Sequence, residues 1–365
     1  MDDSIYRELY KKKLLIDPNN LNNYLKNFKN TKSNQPNKNF WEDKRIMITG
    51  ISGFAGGHLT KKLLELKSKI YGLIRRHSVP EYPNIAKIAN RIELFEGNLT
   101  DFSSLLTMLK KYEPEVIFHL GAQSFVQTSL RCPIETYETN VIGTANLMEA
   151  VRQSDIDIEA VHVACSSEEY GLVYPHEVPI KETNPLRPLS PYAVSKLAAE
   201  NIAITHHKCY GIPSVIIRAF NHTGRGRGLQ FVTSVVARQI AKIKKGLSKD
   251  IIIGNKDPIR DFTDVKDIIN GYLLAVEKAK KGEPYNLGHG LGISIENLIR
   301  LAAKVADVKD YKIVIDKKRL RPADVEILIC DYSKATKAFG YKPTIPLTEA
   351  MLDNIKYFEE NPHLL

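Results

Sequence analysis

Tyr192 and Lys196 stand four residues apart, a spacing that puts a phenol and an ammonium on one face of a helix. A free phenol titrates near ~10 and is a poor base at neutral pH. A neighbouring ammonium favours the phenolate and is expected to bring that value down. Ser166 and Ser167 close the apolar run VHVACSS, from where their hydroxyls can hydrogen-bond the same substrate oxygen. Glu168 adds a carboxylate one residue further on. This is equipment for taking a proton from an alcohol, with a second acid–base group beside it. A Tyr-x-x-x-Lys match alone arises by chance in many proteins, so its weight depends on the elements around it.

Those elements are legible. VHVACSS has the length and apolarity of a buried strand. Ser190 is a good N-cap, Pro191 a good first helical residue and Gly211 a stop, which predicts a helix over 191–210. Upstream, ITGISGFAGGHL sets Gly50, Gly53 and Gly56 between a strand and a helix. Glycines there permit a tight turn and a close approach to a pyrophosphate, which the helix N-terminus then stabilises. The second strand runs into Arg75, Arg76, His77 and Ser78, with no acidic residue to accept from a ribose 2′-hydroxyl. Guanidinium groups suit a 2′-phosphate, so NADP(H) is expected, with NAD as the alternative. Asn98 and Leu99 end the third strand, where an adenine would lie.

From Lys44 the chain alternates strands and helices, the signature of an α/β fold with a Rossmann-type, doubly wound parallel sheet. Strands are expected at RIMITG, KIYGLIRR, RIELFEGNLTD, EVIFHLGA, VHVACSS and SVIIRAFN, and a long helix over about 134–153. Helices near 230–246, 265–279, 294–306 and 346–358, with short strands between, read as a smaller mixed C-terminal substrate lobe. The expected division is a polar N-terminal extension at 1–43, a dinucleotide-binding domain at 44–221 and a lobe at 222–365, some of whose segments return to the first domain. The extension is rich in Asn and Lys and nearly of low complexity over 17–39, which suggests a loosely attached arm that adds little to the core, or an oligomer contact.

The 365 residues carry a net charge of +10, with 43% hydrophobic and 26% charged residues, ordinary for a globular protein. The positive charge fits nucleic acid or an anionic small substrate, and no nucleic-acid-binding motif is present. No apolar run approaches the roughly 20 residues of a membrane span. The four cysteines are scattered without metal spacing or a disulfide framework, so a cytoplasmic protein without a metal site is expected.

With the glycine turn, RRHS, Ser166/Ser167, Tyr192 and Lys196 in this order, residues 44–345 resemble the extended short-chain dehydrogenase/reductases. LIRRHS, GNLTD, AQSFVQTSL, SSEEYG, SPYAVSK, FNHT, FVTS and LRPADVEIL are most similar to GDP-mannose 4,6-dehydratases and the related GDP-4-keto-6-deoxy-mannose reductases. The resemblance implies a seven-stranded sheet, Tyr192 and Lys196 as a catalytic pair that also meets the cofactor, and Ser166 on the sugar O4. Ser167 and Glu168 match the mannose-type Ser-Glu pair, and Asn140 an asparagine that steadies the active-site helix. It adds Phe54, Leu120 and Ala122 to the cofactor set, and Gln123, Ser124, Asn221, Val232, Arg260, Arg321 and Asp324 to a nucleotide-sugar set. For Asn221, Arg260, Arg321 and Asp324 a surface ion-pair role is the lesser alternative. The chain departs from the family at Asn98, usually Asp; at Asp324, usually Glu; at Gly121, usually alanine; and at RDFTD (260–264), which is closer to reductases and epimerases. The implied activity is a 4,6-dehydratase acting on a GDP-hexose with NADP, in a homodimer or homotetramer. A 4-keto-6-deoxy sugar reductase, a 4-epimerase and a non-catalytic NADP-binding scaffold are the alternatives.

Overall fold

A computed structural model describes residues 3–76, 81–320 and 325–365. The strands, in chain order, are β1 (Arg45–Thr49), β2 (Lys69–Ile74), β3 (Glu93–Glu96), β4 (Val116–His119), β5 (Ala160–Ser166) and β6 (Ser214–Ala219). Next, β7 (Asn221–Thr223), β8 (Asp250–Ile253) and β9 (Ile259–Asp264) leave the first sheet and β10 (Pro284–Leu287) returns to it. Last come β11 (Gly292–Ser294), β12 (Lys312–Ile315) and β13 (Ile327–Leu328).

The central sheet has seven parallel strands in the order β10-β6-β5-β4-β1-β2-β3. Strand order reverses between β1 and β4, which opens a crevice at the carboxyl ends where open α/β sheets bind ligands. A parallel sheet is covered by helices on both faces, and accordingly every residue of β6 is buried. Helix Pro191–Tyr210 forms as its caps require: Ser190 Oγ accepts the Ala193 N–H, and Gly211 takes a left-handed conformation at φ +72°. The long helix expected over 134–153 is interrupted by a π-helical turn, Glu138–Ile142, between Pro133–Tyr137 and Gly143–Gln153. Among the described residues, no helix is long and apolar enough to cross a membrane.

The lobe is built on a mixed sheet in which β9 lies between β11 and β13 and also pairs with β7, with β8 and β12 forming a separate pair. Here the reading of residues 1–43 as a loose arm is corrected. The extension is docked along the lobe. Leu9, Ile16, Tyr24 and Trp41 are buried, and a backbone ladder joins Ile16 N–H to Gly292 O and Gly292 N–H to Leu14 O. That ladder covers the open edge of β11, which would otherwise present unpaired backbone groups. The Tyr24 hydroxyl accepts the Leu347 N–H at 2.7 Å and pairs with His289 Nε2 at 3.0 Å. Glu277 receives both the Trp41 indole N–H at 2.6 Å and the Asn37 N–H at 2.8 Å. Average composition hid this because only a few well-spaced apolar residues, set in an Asn/Lys-rich background, are buried by the docking.

A docked extension predicts measurable losses in stability. Ile16→Ala should cost about 2–4 kcal/mol, the usual range for emptying a packed site. Tyr24→Phe, which strands the Leu347 N–H, should cost about 1–3 kcal/mol. Denaturant midpoints measure both, and unchanged midpoints would restore the loose-arm reading.

Candidate active site

The carboxyl end of β1 turns sharply at Gly50. Its φ is +72°, and a Cβ there would sit 2.8 Å from Gly121 Cα; one at Gly56 would lie 2.3 Å from Gly50 O. Side chains are thus barred from both sides of the turn, and helix Phe54–Glu65 starts directly after it with no side-chain cap at Gly53. Uncapped N–H groups at a helix start, beside a backbone that lacks side chains, suit a pyrophosphate. Arg75 and Arg76 follow β2 and are exposed; His77 and Ser78 lie outside the described residues. Asn98 accepts the Thr100 N–H at 3.2 Å, which shapes the turn after β3, and Leu99 is buried. Leu120 and Ala122 continue from β4 on either side of Gly121, whose N–H donates to Thr49 Oγ at 3.0 Å.

That last bond begins a buried chain. Thr49 Oγ meets His119 Nδ1 at 2.8 Å, His119 Nε2 meets Thr144 Oγ at 3.0 Å, and the Thr144 hydroxyl donates to Asn140 O at 2.6 Å. Since Thr144 gives its proton to a carbonyl, His119 must donate from Nε2 and accept at Nδ1 from Thr49. Burial pushes His119 down to about 3, so the ring is neutral as that arrangement requires. Asn140 lies in the π turn, where the register shift aims its side chain inward. Its amide accepts the Gln123 N–H at 2.8 Å and donates to Gln123 O at 3.0 Å and Ser195 Oγ at 2.9 Å. Ser195 in turn donates to Tyr192 O at 2.7 Å. The glycine turn and the Tyr192 helix are thereby tied together.

A cavity of about 540 Å³ opens between the sheet and the lobe. Ser166, Ser167, Glu168 and Tyr192 face it from one side, with Ser124 at its edge; Asn221, Val232 and Arg260 face it from the lobe. The Oδ1 of Asn221 is buried without a hydrogen-bond partner among the described residues, an acceptor left for a ligand. Lys196 stands behind the wall and donates to Ala164 O at 2.7 Å. Burial pushes the Tyr192 phenol up; the Ser166 hydroxyl draws it down, and Glu168 and Glu169 push it further up. The expectation that Lys196 lowers the phenol is therefore reversed by burial, which also lowers Lys196 itself. Gln123 does not line the cavity: its amide bonds Phe125 and Thr136 and shapes its own loop. Arg321 and Asp324 lie outside the described residues.

Sequence reasoning missed Arg227 in GRGRG. Arg225 is ion-paired to Asp353 and Glu360, whereas Arg227, two residues on, turns into the cavity. Its guanidinium lies 3.9 Å from the Phe231 ring centroid and 5.2 Å from that of Phe54. Burial lowers Arg227 to about 10, so it stays charged at neutral pH. His222 stacks on Phe54 at 5.9 Å and is held near 3 by burial and by Arg227, hence neutral. A cation between the glycine turn and the cavity suits a phosphate. The alternation of glycine with arginine next to a strand end was the available signal.

A family model described as GDP-mannose 4,6 dehydratase matches residues 47–353. GDP-mannose 4,6-dehydratase from Yersinia enterocolitica is 32% identical over 342 residues, covering 84% of this chain and 91% of that protein. GDP-6-deoxy-D-mannose reductase from Pseudomonas aeruginosa is 31% identical over 310 residues, covering 84% and 95%. The solved structure of RMD from P. aeruginosa complexed with NADPH aligns with a TM-score of 0.75 at 29% identity, covering 88% of this chain and 99% of that one.

Asn140→Ala removes three bonds at the junction of β4, the π turn and the Tyr192 helix. It should destabilise the protein by about 2–3 kcal/mol, because the Gln123 N–H is left buried and unpaired. Chemical denaturation measures this; an unchanged midpoint would mean the junction is held by other contacts.

Proposed function

This chain belongs to the GDP-mannose 4,6-dehydratase family, and we propose that it is itself a nucleotide-sugar 4,6-dehydratase that acts on a GDP-hexose with NADP. The observation that carries the reading is a carboxylate, Glu168, facing the same cavity as Tyr192 and Ser166. One reaction then uses two proton acceptors on one sugar. Arg75 and Arg76 suit the 2′-phosphate, the glycine turn and Arg227 suit the pyrophosphate, and Asn221 and Arg260 suit the nucleotide of the substrate.

NADP, which the glycine turn, Arg75, Arg76 and Arg227 would hold, would supply a hydride acceptor toward C4 of the sugar and a hydride donor toward C6. Tyr192 takes the O4 proton, with the Ser166 hydroxyl holding that oxygen. Ser166 and Arg227 both favour the phenolate against the burial that opposes it. The C4 ketone makes the C5 hydrogen acidic; Glu168 removes that proton and passes it to the departing C6 hydroxyl, which leaves as water, and C5 regains a solvent-derived proton when C6 is reduced. Lys196 holds the floor of the site through Ala164.

The P. aeruginosa reductase at 31% identity supports a second reading, an NADPH-consuming reductase of a 4-keto-6-deoxy sugar. It uses Tyr192 and Ser166 but has no proton to remove at C5. We also assign the assembled protein to a homodimer or homotetramer in the cytoplasm. Ile134 and Ile142 are 65% and 52% exposed on helical segments beside the Tyr192 helix, where Val194 is exposed too. A second copy of the chain would cover this apolar face.

Glu168→Gln separates the two activities. Glutamine keeps shape and a carbonyl but cannot take a proton. Elimination should fall by about 10²–10⁴, the usual worth of a general base, while binding of the GDP-hexose persists. Solvent deuterium should enter C5 of the wild-type product and not that of the variant. Full turnover by Glu168→Gln would favour the reductase.

A further inference from the structure

Beneath the bend that carries Ser167 and Glu168 lies a carboxyl group with no part in the reaction above. Glu169 is fully buried. Its Oε1 accepts the Ser166 N–H at 2.7 Å, while Ser166 Oγ accepts the Glu168 N–H at 3.2 Å. This reciprocal cap fixes the backbone at the two residues that face the cavity. The other oxygen, Oε2, is buried with no donor facing it among the described residues.

The charges around it do not balance. Arg218 lies nearby, but it gives its fork to Glu200, with Nε–H to Oε2 at 2.8 Å and Nη2–H to Oε1 at 2.5 Å. Its Nη1 serves the Tyr170 hydroxyl at 2.9 Å and Glu182 O at 3.1 Å. Glu169 Oε2 is left 3.8 Å from Arg218 Nε, outside hydrogen-bond range. Ligand atoms of Cys165, Glu169 and Glu200 lie within 4.8 Å of one another. That trio does not make a metal site, because Arg218 already occupies both oxygens of Glu200. Two carboxyl groups thus share one guanidinium in a dry place, an arrangement that keeps one proton.

We propose that Glu169 is a positioning residue that keeps its proton: the neutral carboxyl donates from Oε2 to Glu200 and accepts the Ser166 N–H at Oε1, so that the Arg218–Glu200 pair holds the bend presenting Glu168. The inference rests on the dehydratase reading for the role of Glu168. Burial first, then the Glu200 charge, push Glu169 well above the ordinary carboxylate range, and Arg218 opposes them. The titratable groups facing it are Cys165 from β5, Glu200, Lys196 and Tyr192 from the Pro191–Tyr210 helix, Arg218 from β6, and Tyr170 beside it. Because its folded value is raised, the favourable contribution is complete below the ordinary glutamate range. It is lost as pH rises through the folded value, when two adjacent carboxylates repel and the bend loosens.

The experiment compares wild type with Glu169→Gln and Glu169→Leu. Glutamine can accept the Ser166 N–H and donate to Glu200 without ionising; leucine can do neither. Glu169→Gln should keep kcat within about threefold and shift the alkaline limb of its pH profile upward. Glu169→Leu should lose about 10- to 100-fold in kcat with KM nearly unchanged, the scale of a slightly misplaced group. Independently of activity, infrared spectra in heavy water at neutral pH should show a protonated-carboxyl C=O band in wild type that Glu169→Gln lacks. The infrared and Gln results decide the matter if the Leu variant does not fold. Absence of the band, Gln as impaired as Leu, or a folded Leu variant with wild-type kcat would each overturn the proposal. If the band is present but wild type makes no 4-keto product, the dehydratase reading fails and the proton assignment stands.

Discussion

A single buried run of hydrogen bonds fixes the relation between the cofactor end and the chemical end. It passes from the Gly121 N–H through Thr49, His119 and Thr144 to Asn140, then through Ser195 to the backbone of Tyr192. Every member is satisfied only if the histidine is neutral with its proton on Nε2; burial keeps the ring neutral, and the Thr144 bond to Asn140 O selects the tautomer. A half-satisfied network in so dry a place would cost more than an apolar one, so the arrangement admits one geometry. The glycine turn and Tyr192 come from segments far apart in sequence. Reactivity needs them in register, and this network supplies that register.

Around it, the fold uses burial to set charge. Tyr192 is pushed up, Lys196 down, His222 down and Arg227 down while still charged. The cavity wall therefore carries a neutral His222 beside a charged Arg227, with Arg260 facing the same space from the lobe, which suits an anionic ligand that brings its own phosphates. The lobe supplies the far wall, and the N-terminal extension braces the lobe by closing the edge of β11 and binding His289 and Leu347 through Tyr24. A charged substrate thus meets a wall whose position depends on residues far from the chemistry.

Much of this was legible because the signals are local. Caps at Ser190 and Gly211, the glycine turn after an apolar run, and the four-residue spacing of Tyr192 and Lys196 each lie within one element. Non-local facts were not legible. The return of β10 to the sheet rests on four residues, Pro284–Leu287, whose pairing with β6 no local pattern announces. The docking of the extension depends on Leu9, Ile16, Tyr24 and Trp41 meeting surfaces formed much later in the chain. No local pattern sets Glu169 apart from its neighbour Glu168; the fold buries the first and turns the second to the cavity. The net direction of the Tyr192 shift was misjudged because a pairwise charge argument omits desolvation, the larger influence here.

The central claim is that the protein removes water from a nucleotide hexose with no net use of cofactor. Purified protein incubated with GDP-mannose and other nucleotide hexoses, without added dinucleotide, tests it directly by product analysis. The account predicts a 4-keto-6-deoxy product from a GDP-hexose, formed many times over per protein chain. Product limited to one equivalent per chain, or formed only with NADPH consumed in step from a 4-keto sugar, would contradict it.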